Sequence, residues 1–331
     1  MQEVTIYDIA KLAGVSASTV SRVINEYPHV KKSTRARVLK LLDEYHYVPN
    51  ETARGLVNQS TRMIGILISD IRTTHHTDGV YYIEQELSKQ GYSCLIYNTG
   101  SSKKDQTRYI QLLSQRKVEA AVLMGSIYQT EVVNWAVQTF LPSTPVVLCN
   151  GYLEAPNVYS LIADERNGVC DCVELLARKG RERIAFVVNH YTPSNRLKQE
   201  GYLDGMARFL PKRDPITVES GSSIQEVYRA TQQLMQDHPN LDGIIFSEDI
   251  LAAAGVHALS DLKVRVPDDV GVIGINNSQY AELCVPALTS LDNMLHDLSL
   301  TAARNIRALL DGERINKKMM ICSRIVERQS T

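Results

Sequence analysis

Several kinds of segment are missing from this sequence of 331 residues. No apolar run approaches the roughly 18 residues that a membrane-spanning helix needs. The opening residues, MQEVTIYDIAKLAG, turn polar within a few positions and lack the apolar stretch of a signal peptide. We therefore expect a cytoplasmic protein with no membrane partner.

Metal sites and enzyme motifs are missing as well. The six cysteines form no C-x-x-C pair and have no histidines at zinc spacing, so reduced structural thiols are expected in place of disulfides or metal ligands. There is no Walker A sequence, no G-x-G-x-x-G, no G-x-S-x-G and no H-E-x-x-H. The sequence predicts no catalytic residue and no cofactor.

The length and the charge distribution indicate more than one domain. A chain of this size exceeds what one hydrophobic core usually serves, and 44% hydrophobic content is ample for several cores. Residues 1–62 carry nine Lys or Arg against six Asp or Glu, whereas the remaining residues carry 27 against 31. A small basic segment on a mildly acidic body suggests a polyanionic partner, although a solvated surface would look the same.

The first fifty residues predict three helices. Thr5 and Asp8 form a capping box before an apolar stripe that Gly14 ends. Ser16 is expected to cap a second helix with a small, polar outer face, and Ser33 to cap a third. Two short helices joined by a glycine-containing turn have the geometry of a helix-turn-helix that reads the major groove, and an ordinary three-helix bundle is the alternative.

A resemblance to the LacI/GalR family of repressors decides between these alternatives. The sequence contains D-I-A-x-x-A-G-V-S-x-x-T-V-S-R-V-I-N and later Y-x-P-N-x-x-A-R-x-L. By this resemblance the base-reading residues are Ala17, Ser18 and Arg22. The positions that match contacts to the sugar-phosphate backbone are Thr5, Tyr7, Ser16, Thr19, Ser21, Asn25, Arg35, Tyr47 and Asn50.

The segment after the head resembles the hinge of these repressors, which contains Ala53, Arg54 and Leu56 among its DNA-binding residues. Residues 50–59 are too few for a helix that is stable alone, so the hinge is expected to fold on DNA. The resemblance implies that Leu56 wedges into the minor groove and kinks the duplex, whereas a plain linker leucine is the alternative.

From Met63 onward, short apolar runs rich in β-branched residues alternate with helical stretches. Two such series predict two doubly wound parallel-sheet lobes, an α/β sensor like the periplasmic binding proteins, behind an all-α helix-turn-helix head. A periplasmic binding protein itself is disfavoured by the DNA-binding head. The expected domains are the helix-turn-helix (1–48), the hinge (49–61) and the sensor (62–331). Within the sensor the lobes are expected at about 62–160 with 292–319 and at 161–291 with 320–331, the chain crossing near residues 161, 291 and 320.

The resemblance also places candidate effector-binding residues at strand ends, where open α/β sheets form their crevice. His75 and His76 stand where relatives carry aromatic residues that line the pocket. The alternatives for this pair are two solvent-exposed loop histidines and, less favoured, a metal site. Glu248-Asp249 stands for the common Asn-Asp of relatives, and two carboxylates of relatives are amides here. The candidates are His75, His76, Asn150, Arg196, Lys198, Asp249 and Asn276.

These residues predict a small, oxygen-rich effector, a carbohydrate that is either neutral or anionic. No leucine heptads follow the last expected strand, so the resemblance implies a homodimer on a pseudo-palindromic double-stranded DNA operator. The function expected from the sequence is a repressor whose operator affinity is switched by this effector.

Overall fold

The computed structural model describes residues 4–47 and 60–331. The chain divides into two compact units, Met1–Thr61 and Arg62–Thr331. We call the described part of the first unit (residues 4–47) the head and the second unit the body.

Three helices form the head: α1 (Ile6–Ala13), α2 (Ala17–Ile24) and α3 (Lys32–Glu44). The capping box before α1 is confirmed, because Asp8 Oδ2 accepts a hydrogen bond of 2.9 Å from the Thr5 backbone N–H. Gly14 ends α1 in the left-handed conformation, with φ +61°, which glycine adopts at little cost.

The second helix begins as expected and the third does not. The Ser16 side chain caps α2 by accepting from the Thr19 backbone N–H. Ser33, however, is not the cap of α3: the helix begins at Lys32, and Lys31 occupies the capping position without a side-chain hydrogen bond. Because Ser33 already has helical backbone conformation, its hydroxyl is not in the position from which a cap bonds the first turn.

The body contains two six-stranded sheets in the part of the chain that is described. Sheet 1 has the order β11-β5-β4-β3-β1-β2 and is parallel, and sheet 2 has the order β12-β10-β9-β8-β6-β7 and is parallel except for the edge strand β12. The strands are β1 (Met63–Ile68), β2 (Ser93–Asn98), β3 (Ala120–Met124), β4 (Val146–Cys149), β5 (Val158–Ala163), β6 (Ile184–Val188), β7 (Ile216–Glu219), β8 (Gly243–Phe246), β9 (Gly271–Ile275), β10 (Thr289–Asp292), β11 (Lys318–Ile321) and β12 (Arg324–Val326).

Helices cover both faces of each sheet, and buried aliphatic clusters fill the space between. The helices are α4 (Thr74–Ser88), α5 (Lys103–Gln115), α6 (Glu131–Phe140), α7 (Glu165–Arg178), α8 (Pro193–Phe209), α9 (Ile224–Asp237), α10 (Asp249–Asp261), α11 (Gln279–Leu283) and α12 (Leu295–Leu310), with a 3₁₀ turn at Ser126–Tyr128. In both sheets the chain starts one strand in from an edge, moves outward to the edge strand and then reverses to the other side of the first strand. Such reversal points are where doubly wound folds place their ligands, at the C-terminal strand ends.

The chain passes between the two sheets three times, a little later than expected. Strand β5 keeps the chain in sheet 1 as far as Ala163, β10 keeps it in sheet 2 as far as Asp292, and β11 keeps it in sheet 1 as far as Ile321. The expected positions near 161, 291 and 320 fall inside these strands, because edge and connecting strands of three to six residues give little periodic signal.

Across residues 4–47 and 60–331, none of the helices combines the length and the apolar character that a membrane-spanning segment requires.

Candidate functional site

The outer face of α2 carries the small polar residues that are expected to read DNA. Ser18 and Arg22 are exposed, and Ala17 is half-buried because its methyl group packs against the head core. Ser16 Oγ lies 2.8 Å from Ser18 Oγ and 2.9 Å from Thr19 Oγ1. These hydroxyls cluster at the N-terminal end of α2, where unpaired backbone N–H groups favour a phosphate.

Other residues expected to contact the DNA backbone also lie at the surface of the head. The Tyr7 side chain is 74% exposed. Thr5 is exposed, and its hydroxyl donates to Asp8 at 2.6 Å. Asn25 Nδ2 donates to Ser21 Oγ at 3.4 Å, one turn earlier on the same face of α2.

Two expected DNA contacts take part in the packing of the head. Arg35 donates to the Tyr27 carbonyl oxygen, which holds the loop before α3. Tyr47 is half-buried against the head core. Their contacts with phosphate stay a prediction. The expected hinge contacts lie outside the described residues: Asn50, Ala53, Arg54 and Leu56.

In the body, the candidate effector residues come together from both sheets. His75 and His76 lie in the first turn of α4 and are half-buried, so the alternative of a solvent-exposed loop pair is wrong. Asn150 follows β4, and Asn276 follows β9. Lys198 lies on α8, and its ammonium group donates to the carbonyl oxygen of Ser247, which directly follows β8.

Both histidines are largely removed from solvent. Burial, followed by the neighbouring His76 and Lys198, lowers the pKa of His75 to about 3, so this ring is neutral at physiological pH. Burial also lowers the pKa of His76, even though Asp70 and Glu248 act in the opposite direction. His76 Nδ1 lies 3.4 Å from the Asp70 carbonyl oxygen.

The loop after β3 leaves space for His76. Gly125 has φ +106°, a conformation that side chains with a β-carbon rarely adopt. A β-carbon at this position would stand 3.1 Å from His76 Nε2. Glycine is therefore required here both by the backbone conformation and by the histidine ring.

A small cavity lies between α4, the ends of β3 and β4, and the start of α12. Its lining combines apolar atoms with His75, His76, Asn150, Asn293 and Ser299. The centre of a water molecule can occupy about 10 Å³ of this cavity, so the cavity has space for roughly one water. Three buried polar atoms of its lining have no hydrogen-bond partner among the described residues: His75 Nδ1, Asn293 Oδ1 and Ser299 Oγ.

A buried ion pair of the sheet 2 lobe lies beside this cavity, and a hydrogen bond from Asn150 ties it to the sheet 1 lobe. Glu165 Oε1 is 3.5 Å from Lys198 Nζ, and the side chains are 1% and 5% exposed. The same oxygen accepts a hydrogen bond of 3.2 Å from Asn150 Nδ2, and Glu165 Oε2 accepts one of 2.5 Å from Ser194 Oγ. Lys198 Nζ also donates to the Ser247 carbonyl oxygen at 3.1 Å. The charge of Lys198 is thus neutralised within the protein.

The candidates Asn276 and Arg196 differ in how they are placed relative to the cavity. Asn276, in a positive-φ conformation, accepts from Asn293 Nδ2 at 2.9 Å, which brings it next to the cavity lining. Arg196 is exposed on α8, and its contact with an effector stays a prediction.

The structure does not support Asp249 as an effector contact. Its two oxygens accept hydrogen bonds from the Ser278 backbone N–H at 2.7 Å, from Ser278 Oγ at 2.9 Å and from Ser290 Oγ at 2.6 Å. The carboxylate sits where a β-carbon on Gly274 would stand only 2.2 Å from its Oδ1. Asp249 therefore ties α10 to the start of α11 and to β10. Its neighbour Glu248 lies close enough to His76 to oppose the lowering of the pKa of that ring, and it accepts a hydrogen bond of 3.1 Å from Asn189 Nδ2.

Sequence reasoning missed several residues of this site. The sequence does not single out Glu165, because the short strand β5 directly before it carries no motif. Ser126, Ser194, Asn293 and Ser299 belong to elements that carried no motif. The signal that could have found Glu165 is its position two residues after the end of an apolar run, Leu161–Ala163.

Residues 4–47 and 60–331 contain no group of three His, Cys, Asp or Glu side chains that could hold a metal ion.

Comparisons with known proteins agree with this architecture. A family model described as "Bacterial regulatory proteins, lacI family" matches residues 5–50, and a periplasmic binding protein-like domain matches residues 173–331. An HTH-type transcriptional regulator of Lachnoclostridium phytofermentans is 32% identical over 98% of this chain and 99% of its own length. The ribose operon repressor of Halalkalibacterium halodurans is 27% identical over 99% and 97%.

Solved structures share the fold. The Lac repressor dimer bound to operator and the anti-inducer ONPF aligns with a TM-score of 0.90 at 23% identity, covering 99% of each chain. The complex of the transcriptional regulator CelR with cellobiose aligns with a TM-score of 0.72 at 22% identity, covering 99% of this chain and 100% of that one. The chain belongs to the LacI family of bacterial regulatory proteins and is a DNA-binding transcriptional regulator.

Proposed function

We propose that this regulator is a cytoplasmic, homodimeric repressor that binds a pseudo-palindromic operator. Its affinity for the operator falls or rises when a carbohydrate enters the crevice of the body. It performs no catalysis in this proposal. The observation that carries the proposal is the group of unpartnered polar atoms, His75 Nδ1, Asn293 Oδ1 and Ser299 Oγ, around one cavity at the strand ends.

Buried polar groups without partners cost free energy, about 1 to 3 kcal/mol each, unless a ligand or water bonds them. A sugar offers both donors and acceptors at spacings of a few ångströms, which suits a neutral imidazole, an amide and a hydroxyl. The apolar part of the lining, Met124 and Leu295 among others, suits the C–H faces of a sugar ring. Named relatives point the same way, since one is a ribose operon repressor and another binds cellobiose.

The cavity as it stands has room for roughly one water, and nearly all its lining residues belong to the lobe of sheet 1. A sugar therefore requires this lining to open toward the other lobe and to close again around the ligand. A ligand that binds one arrangement of the lobes better than another shifts the balance between them. In a dimer this would alter the spacing of the two DNA-binding heads and hence the affinity for the operator.

The proposal is tested by selecting the operator from random DNA and then titrating it with the protein while sugars are added. The panel contains ribose, cellobiose and other neutral sugars, uronates and sugar phosphates, and binding is measured by fluorescence anisotropy alongside thermal unfolding. We expect one class of sugar to raise the unfolding temperature and to change operator affinity. A sugar should also be recovered chemically unchanged after incubation. Selection of no DNA motif, or of a motif to which affinity ignores every sugar that stabilises the protein, contradicts the proposal.

A further inference from the structure

We propose that Glu165 is a specificity-determining residue of the crevice: by neutralising Lys198 it makes the site select uncharged over anionic ligands. This inference rests on the proposed function, because it takes the crevice as the ligand site. It concerns a residue that no motif and no comparison assigned.

The geometry already compensates the charge of Lys198 within the protein. Its ammonium group lies 3.5 Å from Glu165 Oε1 and donates to the Ser247 carbonyl oxygen, and the side chain is 5% exposed. Glu165 is held in place from three sides, by Lys198, by Asn150 Nδ2 and by Ser194 Oγ. The carboxylate is therefore positioned by both lobes and cannot swing away without breaking two further hydrogen bonds.

The other charged groups around the strand ends do not replace this cation. His75 is neutral, because burial holds the pKa of its ring well below the ordinary range. Arg72 is exposed and paired with Asp70 at 2.7 Å. Glu248 is half-buried, and Asn189 Nδ2 donates to only one of its oxygens, at 3.1 Å. Arg196 is exposed on α8, so water screens its charge and it does not offer the buried cation that a dehydrated anion needs.

An anionic sugar would have to lose its hydration in this environment. Burying a carboxylate or a phosphate is strongly unfavourable unless a cation compensates for the lost water. The buried cation is already compensated, and Glu248 would repel the ligand further. An uncharged polyol loses only ordinary hydrogen bonds and regains them from the unpartnered atoms of the cavity.

Removing the carboxylate while keeping its shape should reverse this preference. In Glu165→Gln the amide oxygen can still accept a hydrogen bond from Asn150, and the side chain fills the same volume. The charge of Lys198, beside the crevice, then has no carboxylate to compensate it. An anion entering the crevice then meets a buried cation, the arrangement in which charge-assisted hydrogen bonds are strongest.

Inorganic sulfate is the first probe, because it requires no knowledge of the natural ligand. Thermal unfolding of the full chain is recorded with millimolar sulfate and with sodium chloride at equal ionic strength. We expect sulfate to stabilise Glu165→Gln and not the wild type. Glu313→Gln, which removes an exposed carboxylate beyond the far end of α12, is the control for net charge and should behave as the wild type does. The double variant Glu165→Gln/Lys198→Met should lose the response to sulfate.

Matched sugars form the second arm: glucose with glucuronate and glucose 6-phosphate, and cellobiose with cellobionate. In the wild type, stabilisation by the charged member of any pair should require at least about tenfold higher concentration than by its neutral partner, equivalent to about 1.4 kcal/mol. In Glu165→Gln this preference should shrink or reverse. The comparison of neutral and charged sugars on the wild type tests the proposal even if the variant does not fold.

Sulfate that stabilises the wild type as much as the variant overturns the proposal, as does a wild type that prefers the charged sugars. A folded Glu165→Gln that gains no affinity for any anion also overturns it. The failure of the carbohydrate function looks different: no sugar of either kind affects the wild type, while sulfate still distinguishes Glu165→Gln from its controls.

Discussion

The backbone N–H of Ser194 donates a hydrogen bond of 3.1 Å to Ser126 Oγ, and this bond joins the two lobes of the body. Ser126 follows β3 of sheet 1, and Ser194 lies in the first turn of α8 beside sheet 2. The Asn150–Glu165 hydrogen bond, 3.2 Å long, crosses between the lobes close by. The lobes are thus held together on this side by polar contacts, which can open and re-form at modest cost.

Ser126→Ala is expected to loosen this contact. The Ser194 N–H belongs to a helix N-terminus and has no carbonyl partner within the helix, so losing its acceptor costs about 0.5 to 1.5 kcal/mol. Hydrogen exchange of the first turn of α8 should become faster, while exchange in the β-strands of both sheets stays unchanged. Ser220→Ala is the matched control, because that hydroxyl bonds only within its own lobe. Equal protection of the first turn of α8 in the wild type and Ser126→Ala would show that the contact does not hold the lobes.

Gly125→Ala is expected to destabilise the body and to disturb the crevice. Its backbone conformation at φ +106° strains a residue with a β-carbon, and that carbon would stand 3.1 Å from His76 Nε2. Such strain costs of order 1 to 3 kcal/mol, which denaturant unfolding can measure.

Gly100→Ala separates the two causes. Gly100 also has a positive φ, +66°, but a β-carbon there would meet no atom within 4 Å. Its substitution should cost less and should leave any effect of sugars on the unfolding temperature intact. If the two variants lose equal stability and both keep the sugar response, the contact with His76 is not important.

The sequence predicted best those elements that are long or buried on both faces. Strands β3 and β6 are apolar runs of five residues that are buried throughout, and α1 follows from its capping box and Gly14. Short strands such as β7 and β12 lie at sheet edges, and their burial patterns are too irregular to be recognised.

The candidate site could be predicted only in part, for a physical reason. A strand-end position can be read from the chain, but the direction of its side chain depends on partners that are distant in sequence. Asp249 is the example, because Ser278 and Ser290 take up both its oxygens from positions 29 and 41 residues away. Glu165 is the converse case, since its importance arises from Lys198 on a different helix.

Asp249→Asn is expected to change how stability depends on pH. Burial raises the pKa of Asp249 to about 6, against hydrogen bonds from Ser290 and Ser278 that act to lower it. The folded state therefore holds a proton that the unfolded chain, with its ordinary value of 3.8, has released. This contribution to stability is fully present below about pH 4 and is lost as the pH rises through about 6.

The measurement is urea unfolding at a series of pH values between about 4 and 7. The free energy of unfolding of the wild type minus that of Asp249→Asn should fall as the pH rises across this range. Asp297→Asn, an exposed carboxylate in the first turn of α12, is the control and should follow the wild type. A difference that is constant with pH would mean that Asp249 titrates normally.

Arg22→Ala should weaken operator binding and flatten the base preference at one position. Arg22 is exposed in the last turn of α2, whose outer face otherwise carries small residues, so it is the side chain with the reach and the donors to bind guanine O6 and N7 together. The loss of one such pair costs about 1 to 3 kcal/mol on the specific site and much less on random DNA.

Arg37→Ala is the control for charge, because Arg37 is exposed on α3 of the same head. It should leave the ranked base preferences unchanged and lower affinity by a similar factor for all sequences, if it lowers affinity at all. Selection of binding sites from random DNA with the wild type and both variants decides the question. If Arg22→Ala recovers the same motif with the same base preferences as the wild type, the bases are read by other residues of the head, and α2 would then serve to position the protein on the phosphates.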